Sequence, residues 1–307
     1  MAGESIRGIA GRLGRAPSTV CRDVAAKRGR ERYRACAVDR RAVRLLQRPK
    51  PAKLALCPRL RQVAGSKLEL RWSPQQIAGW LASYPDDPEM RVSHETIYLS
   101  LFVQARGALR KKLTRYLRTG RARRLPQGLT TKNGQGRLRD TVRISQRPAE
   151  ANDRAVPGHW EGDLVFGTRS SAIATLVERQ SRFVMLISLP HRHTASVVAD
   201  ALAGAIVTLP AHLRRSLTWD QGKEMAEHAR FSVATGVPVY FCDPHSPWQR
   251  GSNENTNGLL RQYLSRSTDF RSITQSYLDA VAAELNDRPR QTLKWKSPCQ
   301  ALDQALR

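Results

Sequence analysis

Three carboxylates in the second half of this 307-residue chain stand where an acid needs a reason to be. Asp163 lies inside an apolar run, Glu161-Gly162-Asp163-Leu164-Val165. Burying a carboxylate in a strand without a partner is costly. Asp220 closes a second run, Leu217-Thr218-Trp219-Asp220-Gln221-Gly222, and sites gather at strand ends in α/β folds. Glu254 lies in a helical stretch that follows Ser246-Pro247-Trp248-Gln249-Arg250-Gly251, with 33 residues between it and Asp220. That interval holds one helix, one strand and a loop, so Glu254 can return over the sheet. Three convergent carboxylates make a hard, all-oxygen site suited to Mg²⁺ or Mn²⁺. Two such ions, about 3.5–4 Å apart, activate a water or a 3′-hydroxyl and stabilise the leaving oxygen of a phosphodiester. Spacing alone reaches metal-dependent phosphoryl transfer and no further.

The neighbours of these acids have competing readings. Glu161 shares a strand face with Asp163 and is the rival ligand. Arg250, one turn before Glu254, either pairs with an acid or meets a DNA phosphate. Asn253 and Asn257 flank the same helix face and are expected to touch DNA. His245 reads as structural, and Trp160 and Trp248 as packing residues more than base-stacking platforms. His191-Arg192-His193 is a weak zinc signal at adjacent spacing.

The elements that must position the acids follow from pattern. Asp163–Phe166, Ala172–Val177 and Phe183–Leu189 are short strand-like runs. A helix over Ala195–Val207, a strand over Ser216–Trp219, a helix near Lys223–Ala234, a strand over Val237–Phe241 and a helix from about Gly251 to Leu264 complete an α/β domain with a mixed five-stranded sheet.

The first half is built otherwise. The chain carries 52 Lys+Arg against 26 Asp+Glu, a net charge of +26. Residues 1–150 hold +23 of it and residues 151–307 only +3. A basic half joined to a nearly neutral one points to polyanion binding tethered to another activity. Within Ser5–Val24, Ile6, Ile9, Ala10 and Leu13 recur at helical spacing, Gly14 breaks the helix, and Pro17-Ser18-Thr19 starts a second with Val20 and Val24. Small residue, turn glycine and aliphatic match helix-turn-helix packing, which turns Ser18, Thr19 and Arg22 outward toward DNA. Trp72-Ser73-Pro74 through Tyr98 reads as a second such unit. The organisation is then a partial helix-turn-helix over 1–30, a basic connector over 31–70, the second unit over 71–104, a basic linker over 105–155 and the α/β core over 156–307. The linker is dense in charge, with Arg110-Lys111-Lys112, Arg121-Ala122-Arg123-Arg124 and a basic helix near Ala108–Thr119. No uncharged apolar stretch reaches 18 residues, so no transmembrane helix is expected. No secretory signal opens the chain. Five scattered cysteines without a C-x-x-C fit a reducing, cytoplasmic setting.

Beyond these readings, the second half resembles the catalytic core of the DDE transposases and retroviral-type integrases, an RNase H-like fold. More narrowly, the chain resembles the insertion-sequence-thirty (IS30) family of bacterial transposases. The residues that carry the likeness are Gly158-His159-Trp160-Glu161-Gly162-Asp163-Leu164, Leu217–Gly222, Ser246–Tyr263, Asn286-Asp287-Arg288-Pro289-Arg290 and Lys294-Trp295-Lys296-Ser297-Pro298. The segment Ser246–Tyr263 is the most specific. Gln221 stands where the family usually has Asn, and Ser265–Asp269 replaces a segment that usually contains Pro-Lys-Gly. The resemblance implies that Asp163, Asp220 and Glu254 are the catalytic and metal-binding triad. It implies cleavage at transposon ends and joining to target DNA, with the first half gripping terminal inverted repeats on double-stranded DNA. It also implies a homo-oligomer that holds two ends, and a location at the bacterial nucleoid. A non-catalytic helix-turn-helix regulator, or a decayed relic, is the competing reading.

Overall fold

The computed structural model describes residues 3–25, 31–46, 53–83, 87–103, 141–189, 193–244 and 246–306. Arg110–Lys112, Arg121–Arg124, the helix expected near Ala108–Thr119, His191, Arg192 and His245 lie outside them. The chain divides into two compact units, Met1–Ala52 and Lys53–Arg307.

In the first unit, α1 (Ile6–Arg12) starts at Ser5, whose hydroxyl accepts from the Gly8 amide at 3.1 Å, an N-cap that satisfies an orphan donor. Gly14 adopts φ +59°, a left-handed turn that glycine enters without steric cost. Next come α2 (Pro17–Ala25) and α3 (Ala35–Leu46). Ala10 and Val20 are buried between the first two helices, while Ser18 and Arg22 face solvent and Thr19 is half-buried.

The second unit opens with α4 (Lys53–Leu56), α5 (Pro58–Glu69), α6 (Pro74–Ala82) and α7 (His94–Val103). Much of the stretch read as a basic connector, 31–70, is thus helical. Leu60, Ala64, Leu68, Trp72, Ile77 and Ile97 pack into one core. Ser73 and Gln76 form a reciprocal capping box ahead of α6, with Pro74 in its first turn.

After the short helix α8 (Ala149–Asp153), the sheet begins with β1 (His159–Phe166), β2 (Ala172–Glu178) and β3 (Val184–Leu189). Then come α9 (Ala195–Val207), β4 (Ser216–Trp219), α10 (His228–Thr235) and β5 (Val239–Phe241). The chain closes with α11 (Gly251–Leu260), α12 (Gln275–Asp287) and α13 (Pro298–Ala305). The sheet is mixed and five-stranded, in the order β3-β2-β1-β4-β5. The first three strands form an antiparallel meander, and β4 and β5 add parallel to β1. The expected helix of residues 223–234 is broken. Lys223–Met225 make a 3₁₀ turn and the α-helix starts at His228. The expected helix to Leu264 ends at Leu260.

Helices cover both faces. Trp160, Leu164, Leu217 and Trp219 pack against α9 and α10, and Val165, Ile173, Val177 and Leu186 against α11 and α12. Burial on both sides explains why β2 is hidden along its whole length. The two-residue period of β1 puts Glu161 and Asp163 on the α11 face with Val165.

Candidate active site

The β1–β4 junction sets the site. The two strands pair in parallel with Glu161 opposite Thr218. Carried two residues on, this register sets Asp163 beside Asp220. Between those positions Gly162 lies against Trp219, and a Cβ at Gly162 would stand 2.1 Å from the indole ring. Only glycine lets the indole sit there. Asp220 is fixed by its own turn, since its Oδ1 accepts from the Gly222 amide at 2.9 Å. Gln221 ties the end of β4 to that of β5 by donating from Nε2 to the Cys242 carbonyl at 3.0 Å.

Arg250 joins the two aspartates. Its Nη1 lies 3.2 Å from Asp163 Oδ1 and its Nη2 3.1 Å from Asp220 Oδ2. Nη1 also donates to the Gly162 carbonyl at 2.9 Å. Of its two expected partners, Arg250 therefore takes the acids. Asp163 has two more donors, the Leu164 amide at 2.9 Å and Asn257 Nδ2 at 2.9 Å. Burial pushes the Asp163 carboxyl up to about 6, with Arg250 opposing and the like charge of Asp220 adding to the shift. Glu224, read before only as part of a helix, is also raised, first by burial and in part by Asp220. Trp219 Nε1 donates to it at 3.3 Å.

Glu254 does not join this cluster. Among the described residues no three His, Cys, Asp or Glu side chains converge in a metal-holding group. Glu254 is exposed on the first turn of α11. It nevertheless shares one helical stripe with Arg250, four residues before it, and Asn257, three residues after it. Those two residues hold Asp163.

The structure places the neighbouring residues as follows. Asn253, expected at the DNA surface, is fully buried. Its amide N donates to Glu161 Oε2 at 3.0 Å, its Nδ2 to the Glu161 carbonyl at 2.9 Å, and its Oδ1 accepts from Thr175 at 3.0 Å. It clamps α11 to the sheet because a buried amide must find partners. Asn257, also expected on DNA, is half-buried, and it spends its amide on Asp163 and its oxygen on Thr175 Oγ1 at 3.3 Å. Glu161, the rival ligand, is engaged elsewhere. It is fully buried and its Oε1 lies 2.5 Å from Arg179 Nη1. Trp160 is core and donates to the Leu213 carbonyl at 2.8 Å, but Trp248, read as packing, is 73 % exposed. His193 packs edge-on against Phe166 with ring centroids 5.5 Å apart.

A hard divalent cation fits what is here. The donors at the strand ends are all carboxylate oxygens. The structure already places a cation, the Arg250 guanidinium, between them.

A sheet of this order, with paired acids on β1 and just past β4, defines the integrase type of catalytic core, and the integrase core domain family matches residues 153–247. Proteins of this class are divalent-metal-dependent polynucleotidyl transferases. The transposase for insertion sequence element IS1086 of Cupriavidus metallidurans is 49 % identical over 98 % of this chain and 90 % of its own length. The transposase InsI for insertion sequence element IS30A of Escherichia coli is 46 % identical over 98 % of this chain and 79 % of its length. The transposase for IS4351 of Bacteroides fragilis is 32 % identical over 98 % and 91 %. The chain belongs to the IS30 family of insertion-sequence transposases, enzymes that act on DNA. No described helix is long and apolar enough to cross a membrane.

Proposed function

We propose that Asp163, Asp220 and Glu254 form the catalytic triad, holding Mg²⁺ or Mn²⁺, as two ions, for cleavage at the element's ends and joining to target DNA. Bound there, the ions supply activation of the attacking hydroxyl and stabilisation of the leaving oxygen. The chain's own residues do the positioning. Gly162 and Trp219 fix the spacing of the two aspartates, Asn257 orients Asp163, and Asn253 locks α11 against β1. Arg250 opposes the burial that raises Asp163, and Glu254, on its exposed stripe, would supply the third carboxylate to a bound cation. The observation that carries this reading is the pairing of Asp163 with Asp220 beneath the stripe that bears Glu254. The helical unit Ile6–Ala25 grips the terminal inverted repeats, with Ser18 and Arg22 facing solvent and Thr19 half-buried beside them. The enzyme works as a homo-oligomer on the nucleoid, since two ends must be held together.

The test uses the full chain, a duplex carrying the element's end and Mg²⁺, and compares the wild type with Glu254→Gln, a near-isosteric loss of charge. Nicking and joining by the wild type, with binding alone by the variant, supports the triad. Binding by both with cutting by neither supports the regulator reading. Equal cutting by both removes Glu254 from the triad.

A further inference from the structure

A second cleft lies behind α11, between the helical bundle α4–α7 and the catalytic core. Trp295 closes one side of it. The residue has φ +67° and lays its ring on Gly79 of α6, where a Cβ would come within 2.2 Å of the indole. Gln76 Nε2 donates across the junction to the Pro289 carbonyl at 3.0 Å. These contacts frame a cleft of about 330 Å³. Among the described residues, Arg71, Arg288 and Arg290 line it and no Asp or Glu does. Asn255 and Leu259 of α11 form part of the wall, so the cleft opens one residue from Glu254.

The charge in this cleft is under-compensated. Arg288 is fully buried. It donates to Gln262 Oε1 at 2.8 Å and to the Tyr263 hydroxyl, and its Nε has no partner. The Arg71 guanidinium stacks 4.0 Å above the Tyr263 ring and that of Arg288 lies 5.3 Å from it. A buried Nη1 of Arg71 is also without a partner. Among the described residues neither Arg71 nor Arg288 has a carboxylate within 4.0 Å. The nearest acid in this network, Glu284, is reached only through the Tyr263 hydroxyl, which donates to it at 2.6 Å. Two cations on one tyrosine, with free N–H donors and only amides and hydroxyls around them, lack an anion with several acceptor oxygens. Arginine forks suit phosphate geometry.

We propose that this cleft binds a backbone phosphate of the DNA strand that passes α11, fixing the strand's path relative to Glu254. This rests on the transposase reading, and it adds a phosphate contact made jointly by the bundle and the core.

The test is equilibrium binding of the full chain to a random-sequence duplex of about 30 bp, by fluorescence anisotropy across a NaCl series. Each lost phosphate contact shallows the slope of log K against log[salt] by about 0.9. Arg71→Gln is expected to weaken binding about tenfold at 0.1 M salt and to reduce the slope by that amount. Arg71→Lys keeps the slope. Thr292→Glu, at an exposed position on the rim, places a carboxylate in the cleft without touching the core and is expected to weaken binding as much. Wild-type affinity and slope in both Arg71→Gln and Thr292→Glu overturn the proposal. So does a lower melting temperature of Arg71→Gln with an unchanged slope, which marks a packing role. If the variants behave as expected but the wild type never nicks DNA in Mg²⁺, the catalytic reading fails and this site stands. A wild type that binds no duplex removes both.

Discussion

Replacing Arg250 by Gln tests whether the paired aspartates form a site that requires positive charge. The guanidinium lies 3.2 and 3.1 Å from two carboxylates whose side chains are 21 % and 28 % exposed. At an effective dielectric near 20, each contact is worth about 5 kcal/mol before desolvation is subtracted. Removing one partner of such a buried pair costs about 3–5 kcal/mol, because the remaining charges stay behind unpaired. Here two carboxylates stay behind, close to each other. For a unit of this size, about 2–4 °C of melting temperature goes with each kcal/mol, so metal-free Arg250→Gln is expected to melt on the order of 10 °C below the wild type. The assay is a thermal melt of both proteins in EDTA and again in about 10 mM Mg²⁺. A cation that binds only the folded site stabilises it by mass action. The Mg²⁺-induced rise is expected to be larger in the variant, where no arginine competes. If the variant melts within about 2 °C of the wild type in EDTA, Arg250 is not the counter-charge. If Mg²⁺ raises neither protein, the aspartates do not make a cation site.

Asp163 gives a pH test with a fixed sign. Its folded-state carboxyl is raised to about 6 from an ordinary 3.8, so the fold favours the protonated form and metal-free stability falls as pH rises through 4–6. Between pH 5 and 7 that is a loss of roughly 1.4 kcal/mol relative to Asp163→Asn; parallel melting curves for the two proteins in EDTA would contradict it. Gly162→Ala is expected to destabilise by about 1–3 kcal/mol, since the new Cβ has no room beside Trp219, and an unchanged urea midpoint would show that the indole can retreat. Trp248→Ala is expected to leave the melting temperature unchanged, as the ring is 73 % exposed. If the ring stacks on a base, the same variant loses about 1–3 kcal/mol of affinity for single-stranded DNA, and unaltered binding would exclude such stacking.

The parts of the molecule readable from sequence are those where one residue type has one physical use. Asp163 in an apolar strand and Asp220 at a strand's end announced a shared site because each acid is out of place without it. Gly14, flanked by Ala10 and Val20, announced a helical turn. The mixed sheet followed from the order of strand-like and helix-like runs. What sequence left open was the choice among partners. Arg250 has equal claims to an acid and to a phosphate, and Asn253 reads as a DNA contact although it is buried between α11 and the sheet. Polar side chains on a helix at a period of three to four mark a face, but not whether that face meets solvent or another polar residue. Here β1 decides it, because its α11 face carries Glu161 and Asp163 and both need donors. Arg71 shows the same limit across a longer distance. In sequence it is one more arginine of a basic half, and only docking of the bundle onto the core brings it to Tyr263 and Arg288. Excess charge in this protein is therefore of two kinds. Most of it follows from composition, while the charge beside α11 is placed by tertiary contacts from both halves. On the proposed reading, affinity for DNA arises throughout the basic half, while alignment of a strand with the acids depends on the few cations tied to the core.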